Sequence, residues 1–277
     1  SDEDKVRIYS VFGGIPYYNR LIDGKKSVRE NIIDLIASPG ARLENEVSMY
    51  LSSEISKITN VNEVFEALSK GFSRYKDILD QSNVSSGPAL VDILDKLIRM
   101  DVVAKEAPIN DENNRKKSGY FISDNLSLFY YKYIFRNSSR MNIMDSDIFY
   151  DRYIAEDFET KYVPKIFKDV CRQYLIRKNR MGCMDEIFEK IGKYYYDDPV
   201  ERKNGEFDIV TLDDKGYIFY EAKFRKEPVT EQMIEKEIVQ VKQTGLECYK
   251  YGFFSKSGFA CEERENRSLI ELKELYR

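Results

Sequence analysis

One stretch of this 277-residue chain, between positions 205 and 226, constrains the fold more than any other. Apolar and polar residues alternate there in two runs, GEFDIVTLD and GYIFYEAKFRK. A period of two is typical of β-strands, and the residues DDKG between the runs are turn formers. The pattern predicts a β-hairpin. Because helical patterns precede it, the second half of the chain is expected to have a mixed α/β fold.

The same alternation predicts which side chains of the hairpin share a face. In the first strand it places Asp208 and Val210 on one face and Phe207 on the other. In the second strand Glu221 and Lys223 share a face. Three ionisable groups therefore converge among apolar residues. Such groups are costly to bury unless they pair with one another or hold a metal ion.

The order Asp208, Glu221, Lys223 on two adjacent strands after a helix resembles the site of PD-(D/E)XK nucleases. That resemblance implies that Asp208, Glu221 and the carbonyl of Ala222 bind Mg²⁺ or Mn²⁺, and that Lys223 orients the attacking water or offsets charge on the phosphate. The chain has no histidine, which excludes Ser-His-Asp and imidazole-zinc chemistry. The alternative is a salt bridge from Lys223 to Asp208 or Glu221.

The first half of the chain has helical patterns followed by two short strands. Residues 61–70, 74–81 and a third segment with apolar residues at i, i+3, i+4, i+7 and i+8 predict three helices. The segments VVAKEAP and SGYFIS predict a two-stranded ribbon, and the whole order predicts a winged helix. Its predicted DNA contacts come from the start of the third helix and from the wing, at Ser85, Ser86, Arg115, Lys116 and Lys117. Asp92 and Asp95 on that helix leave a structural or protein-binding role equally open.

The change from helical patterns to mixed α/β patterns predicts a domain boundary, with a linker near 137–146. The first part comprises helical patterns over 1–58 and the winged helix over 59–140, and the second part is an α/β domain over 141–277. The aromatic residues of DNLSLFYYKYIFRN, just before that linker, are expected to pack in a core rather than to stack on bases.

A wider resemblance covers nearly the whole chain. The motifs GGIPYY, YVPKIFKDVCRQYL, IGKYYY, GEFDIV, YEAKF and FFSKSGF, together with the winged helix between them, resemble the C-terminal part of archaeal-type ATPases. That family joins a P-loop ATPase module to a winged helix and a restriction-endonuclease-like domain. The resemblance implies lid helices over 1–58, a nuclease-like domain over 141–277, and an ATPase module that binds ATP outside this chain.

Two features of the sequence depart from that family. No G-x-x-x-x-G-K-[ST] motif occurs, so this chain carries no P-loop. Family members usually have a metal-assisting Glu in the helix at the position of Lys168. Asp169 would face about 100° away around the helix, and Glu159 could replace that Glu only in another register.

Two functions follow as expectations. The first is Mg²⁺-dependent hydrolysis of DNA by Asp208, Glu221 and Lys223; the second is an inactive platform that binds DNA or a protein under control of the ATPase module. With a net charge of −4, DNA affinity must come from local patches. The four cysteines without a C-x-x-C pair and the absence of a long apolar run predict a cytoplasmic protein that does not enter a membrane. Oligomers are compatible with the sequence.

Overall fold

The computed structural model describes residues 1–54, 60–114, 116–198 and 203–276. The chain divides into two compact units. The helical unit comprises Arg7–Glu106 and Ser118–Tyr162, and the sheet unit comprises Ser1–Val6, Ala107–Lys117 and Val163–Arg277. The predicted boundary between 58 and 59 lies outside the described residues.

Short helices form the first part of the chain. They are α1 (Asp2–Phe12), α2 (Pro16–Leu21), α3 (Val28–Leu35), α4 (Glu46–Glu54), α5 (Val61–Ser69), α6 (Tyr75–Gln81) and α7 (Gly87–Arg99). The start of α3 is fixed by a capping box, in which the Ser27 hydroxyl accepts from the Glu30 amide while the Glu30 carboxylate accepts from the Ser27 amide. The spacing S-x-x-E at Ser27 and Glu30 is the usual sequence pattern of such a cap.

Helices α5 to α7 are followed by an antiparallel ribbon of β1 (Val103–Glu106) and β2 (Gly119–Ile122). The apolar stripe of α7 is buried as its spacing predicts, through Leu90, Ile93, Leu94 and Leu97. The three helices and two strands predicted from this part of the sequence are therefore confirmed as elements. Their assignment to a winged helix stays a prediction.

After β2 the helical unit continues without a break in packing. Its elements are α8 (Asn125–Phe129), a π-helix (Tyr130–Ile134), a 3-10 turn (Phe135–Asn137), α9 (Ser138–Met141), α10 (Ser146–Tyr153), α11 (Ala155–Asp157) and a second π-helix (Phe158–Tyr162).

Aromatic packing explains why the predicted linker near 137–146 lies inside this unit. Phe129 is fully buried, and its ring centroid lies 5.0 Å from that of Tyr133, 6.1 Å from that of Phe158 and 5.9 Å from that of Tyr162. Rings before and after the predicted linker thus form one cluster. The expectation that these aromatics form a core is confirmed.

The sheet unit contains one long helix, a mixed sheet and a second helix. Its elements are α12 (Val163–Arg180), β3 (Lys190–Asp198), β4 (Lys203–Asp213), β5 (Gly216–Lys223), β6 (Val229–Thr230), α13 (Glu231–Gln243), β7 (Cys248–Ser255), β8 (Phe259–Ala260), β9 (Arg267–Glu271) and a 3-10 turn (Leu272–Tyr276).

The main sheet has five strands in the order β3-β4-β5-β7-β9. Strands β3, β4 and β5 pair antiparallel, whereas β7 pairs parallel with both β5 and β9. The predicted hairpin is the β4–β5 pair. Chain order and pairing give a mixed α/β sheet, as the sequence predicts at that level.

Helices cover both faces of this sheet. Ile234 and Ile238 of α13 pack in a core cluster with Phe219 and Phe253. On the opposite face, the Tyr174 ring of α12 lies 6.0 Å from the Phe254 ring. Because Phe253 and Phe254 are neighbours on one strand, they point to opposite sides of the sheet. Near the carboxyl end of β5, the Phe167 ring of α12 lies 5.1 Å from the Phe224 ring, and Glu237, in the middle of α13, accepts a hydrogen bond from Lys223.

The segment Ala107–Lys117, which contains the predicted wing loop INDENNRKK, belongs to the sheet unit. The Ile109 amide donates to the Lys193 carbonyl at 2.8 Å, and Asn110 exchanges two hydrogen bonds with the backbone of Tyr195 at 2.8 and 3.0 Å. Ile109 is itself part of the core cluster. The start of the loop therefore lies along β3, at an edge of the sheet.

Along the described parts of the chain, no helix has both the length and the apolar character that crossing a bilayer requires.

Gly252 provides a test of the sheet's packing. It pairs with Tyr220 across β5 and β7, and a Cβ at this position would overlap the Tyr220 ring. We expect Gly252→Ala to lower the free energy of unfolding by about 1 to 3 kcal/mol, because the ring must move within a packed layer.

The measurement is urea denaturation followed by far-ultraviolet circular dichroism. Gly14→Ala is the control, since a Cβ there meets no atom within 4 Å and should change stability by less than about 0.5 kcal/mol. Equal effects of the two substitutions would contradict the close approach of Tyr220 to Gly252.

Candidate functional site

Strand β5 carries two of the predicted site residues at its carboxyl end. Glu221 and Lys223 lie two residues apart, and Ala222 between them is buried on the other side of the strand. The Glu221 side chain is only 16% exposed. The hairpin thus holds a carboxylate in a largely apolar layer, where it needs a cation beside it.

Asp208 reaches the site from β4 at an irregularity in the sheet. The pairing of β3 with β4 shifts between Gly192 and Tyr194, which pair with Val210 and Phe207, so β4 has one extra residue there. This is a β-bulge, a feature that redirects side chains.

The bulge corrects one prediction from the alternation. Phe207 and Val210 lie in the same core cluster, although the period of two places them on opposite faces. Strict alternation fails because the extra residue lets positions three apart face the same side.

Lys168 of α12 binds Asp208 directly. Its Nζ lies 2.6 Å from Asp208 Oδ2, in the position where the resembled family has a Glu. Burial disfavours the Lys168 ammonium, but the carboxylates of Glu221 and Asp208 outweigh burial and raise its pKa above the ordinary value. Lys168 is therefore a fixed positive charge at neutral pH.

Lys223 bridges two carboxylates. Its Nζ lies 3.0 Å from Glu221 Oε1 and donates to Glu237 Oε1 of α13 at 2.7 Å. Burial lowers the pKa of Lys223, yet Glu221 and Glu237 together raise it above the ordinary value. The salt bridge between Lys223 and Glu221, which the sequence leaves open as an alternative, is thus present.

Burial dominates the electrostatics of Glu221. It raises the pKa of this carboxyl above its ordinary value, although Lys168 and Lys223 act in the opposite direction. Glu221 therefore interacts electrostatically with both ammonium groups of the site.

The resulting cluster contains three carboxylates, from Asp208, Glu221 and Glu237, and two ammonium groups, from Lys168 and Lys223. Among the residues that the structure describes, no group of three or more acidic, histidine or cysteine side chains is arranged to hold a metal ion. Magnesium binds through oxygen ligands, and here an ammonium already occupies an oxygen of Asp208. As these side chains lie, they do not fit Mg²⁺.

The predicted metal ligands, Asp208, Glu221 and the Ala222 carbonyl, accordingly stay predictions. A metal ion would have to displace Lys168 from Asp208. Glu237 was missed from the sequence. Its signal was its place in α13 beside the buried stripe of Ile234 and Ile238, which turns it toward the sheet.

The predicted DNA-binding residues fall in both units. Ser85 and Ser86 are exposed at the start of α7, where the Ser86 hydroxyl accepts from the Ala89 amide at 3.4 Å as the helix N-cap. Asp92 and Asp95 are exposed on the same helix. This face carries no excess of positive charge, so its role in DNA binding stays a prediction.

The basic residues of the predicted wing belong to the sheet unit. Lys117 Nζ lies 3.0 Å from Asp111 and 4.0 Å from the ring centroid of Tyr195. Lys116 is exposed, and Arg115 lies outside the described residues. Their contact with DNA also stays a prediction.

Comparison with known proteins relates the chain to proteins without an assigned function. Residues 130–238 match DUF234, a family described as archaeal and bacterial proteins of unknown function. An uncharacterized protein of Methanocaldococcus jannaschii, MJECL04, is 26% identical over 268 residues, which cover 95% of this chain and 58% of that protein. The chain thus spans less than two thirds of the length of this relative.

A solved structure, protein VC1899 from Vibrio cholerae, aligns with this chain at a TM-score of 0.25 and 10% sequence identity. The alignment covers 84% of this chain and 53% of the Vibrio chain.

Replacing Lys168 by Met tests the cluster. We expect the pKa of Glu221 to rise further, because the attraction of Lys168 is lost. At neutral pH the free energy of unfolding should fall by about 1 to 2 kcal/mol. This loss lies between the losses that are typical when an exposed and when a buried salt bridge is broken.

The loss of unfolding free energy in Lys168→Met should be smaller in acid, where the carboxyls of Asp208 and Glu221 are protonated. Carbon NMR of the Glu221 carboxyl and urea denaturation measure the two effects. Lys226→Met, at an exposed lysine, is the control. An unchanged Glu221 pKa in Lys168→Met would show that Lys168 does not stabilise that carboxylate.

The pKa of Glu221 also predicts a pH dependence. The folded state binds the proton of the Glu221 carboxyl more tightly than the unfolded chain does. Glu221 therefore contributes fully to the stability of the fold below its ordinary pKa of 4.5, and this contribution is lost as the pH rises through the raised pKa. The free energy of unfolding of the wild type, minus that of Glu221→Gln, should therefore fall with rising pH. A difference that increases with pH would mean that folding lowers this pKa.

Proposed function

We propose that the chain is a DNA-binding platform whose sheet unit resembles a PD-(D/E)XK nuclease but does not cleave DNA. The observation that carries the proposal is the contact of Lys168 with Asp208 at 2.6 Å. Salt bridges join Lys168 to Asp208 and Lys223 to Glu221, and Lys168 occupies the position at which the resemblance to the archaeal-type ATPases implies a third acid. The ammonium supplies the positive charge that these carboxylates need.

The sequence resemblance to archaeal-type ATPases gives the platform a context. In that arrangement, an ATPase module outside this chain uses the energy of ATP, and the present chain supplies the contact with DNA. The match to only 58% of the length of the Methanocaldococcus relative is compatible with such a longer protein.

Mg²⁺-dependent cleavage of DNA is the second candidate. The convergence of Asp208, Glu221 and Lys223 favours it. The two candidates differ in one respect that can be measured, which is whether Lys168 prevents cleavage or leaves it intact.

A cleavage assay separates them. Wild type, Asp208→Ala, Lys223→Ala and Lys168→Glu are incubated with plasmid DNA and Mg²⁺ or Mn²⁺, while binding is followed by fluorescence anisotropy of a labelled duplex. We expect the wild type to bind without cleaving. Lys168→Glu, which places a third carboxylate beside Asp208, should cleave DNA at a rate at least about tenfold above the background measured with the wild type, the scale of a modest catalytic contribution.

Lys226→Glu has the same charge change at an exposed position and should not gain activity. If the wild type cleaves DNA and both Asp208→Ala and Lys223→Ala abolish the cleavage, the platform proposal is wrong and the nuclease is the better candidate. A wild type that neither binds nor cleaves DNA would overturn both candidates.

A further inference from the structure

Helix α12 has a charge unlike that of the rest of the chain. It carries six basic residues and one acidic residue, Asp169, within 18 positions, although the whole chain has a net charge of −4. By comparison, α13 on the other face of the sheet carries three acidic and two basic residues. Positive charge is thus concentrated on one helix of the sheet unit.

The folding of α12 places much of this charge on its outer side. Its apolar stripe is buried against the sheet unit, through Val163, Ile166, Phe167, Cys171 and Leu175. Lys165, Arg177 and Arg180 are exposed, and Arg172 is half-buried between them. We call Lys165, Arg172 and Arg180, which lie within about 80° around the helix, the α12 basic face. At 1.5 Å per residue it extends over about 22 Å.

Contacts at the carboxyl end of the helix orient two of its basic side chains. Arg177 Nη2 donates to the Leu275 carbonyl at 2.8 Å, and its guanidinium lies 5.8 Å from the centroid of the Tyr174 ring. Lys178 Nζ lies 5.6 Å from the same ring. The carbonyl and the ring thus help to orient these two side chains at the end of the helix.

Stabilisation of the helix dipole explains only part of this pattern. Basic residues in the last turn of a helix are favourable, which accounts for Arg177, Lys178 and Arg180. That effect is confined to the last turn, so it does not account for Lys165 or Arg172. Asp169 offsets one charge near Arg172, at 3.7 Å, and leaves the helix strongly positive.

The basic face also runs past the Asp208 cluster. Lys168 lies three residues after Lys165 and four before Arg172, which makes the three side chains neighbours on the helix surface. A ligand that follows the α12 basic face is therefore brought beside Lys168 and the cluster around Glu221.

We propose that the α12 basic face binds the phosphate backbone of DNA. This inference rests on the proposed function and names the surface that performs it. A row of cations about 22 Å long suits a regularly charged polyanion, since DNA carries a phosphate every 3.4 Å or so along each strand. Contacts to phosphates hold DNA without reading its sequence, so the binding is expected to have little sequence preference.

The test uses the full chain and a fluorescein-labelled DNA duplex of arbitrary sequence. In the face variant, Lys165→Gln, Arg172→Gln and Arg180→Gln are combined, and Arg177 is kept because it contacts Leu275. In the control variant, Lys226→Gln, Lys236→Gln and Lys242→Gln remove the same charge from exposed positions outside α12. Circular dichroism checks that both variants are folded.

We expect the face variant to bind at least about tenfold more weakly than the wild type, with a salt dependence shallower by about 2 to 3 in the log-log slope. The control variant should stay within about twofold of the wild type. The single variant Arg180→Gln, at an exposed position, should reduce the slope by about 1 if the triple variant is poorly folded.

Two results would overturn the inference alone. Either the face variant binds DNA as tightly as a wild type that itself binds, or the control variant loses as much affinity as the face variant. A wild type that does not bind the duplex even at low salt would overturn the proposed function as well.

Discussion

The burial of Glu221 is the constraint on which the candidate site depends. A carboxylate at the end of β5, 16% exposed, is stable only if positive charge is fixed beside it. Lys168 supplies that charge from α12, and Lys223 supplies it from the strand itself while also binding Glu237 of α13. Both helices are thereby tied electrostatically to the strand that they cover.

This solution differs from that of a metal-dependent hydrolase in one respect. In a metal site, carboxylates are held together by a divalent cation that can also activate water. Here ammonium groups hold the carboxylates and carry no exchangeable water ligand. In this sheet unit the acidic residues are thereby balanced by lysines of the same unit, and α12 adds further basic residues beside them.

Some of this arrangement was predictable from the sequence and some was not. The hairpin that contains Glu221, the buried stripe of α7 and the helical course of α13 follow from periodicity, which local sequence encodes directly. The bulge at Asp208 does not, because a period counted along one strand contains no information about the register of its partner β3.

The packing of Ala107–Lys117 along β3 and the bond from Glu237 to Lys223 were missed for the same reason, since both join residues distant in sequence. Lys168 was recognisable only as a departure from a family pattern, and its partner Asp208 became evident from the geometry.

The most direct test of whether Lys168 excludes a metal ion is titration of Mn²⁺ into the wild type and into Lys168→Glu, followed by isothermal calorimetry. We predict no saturable binding to the wild type and binding to Lys168→Glu. Saturable binding to the wild type that disappears in Glu221→Gln would contradict it.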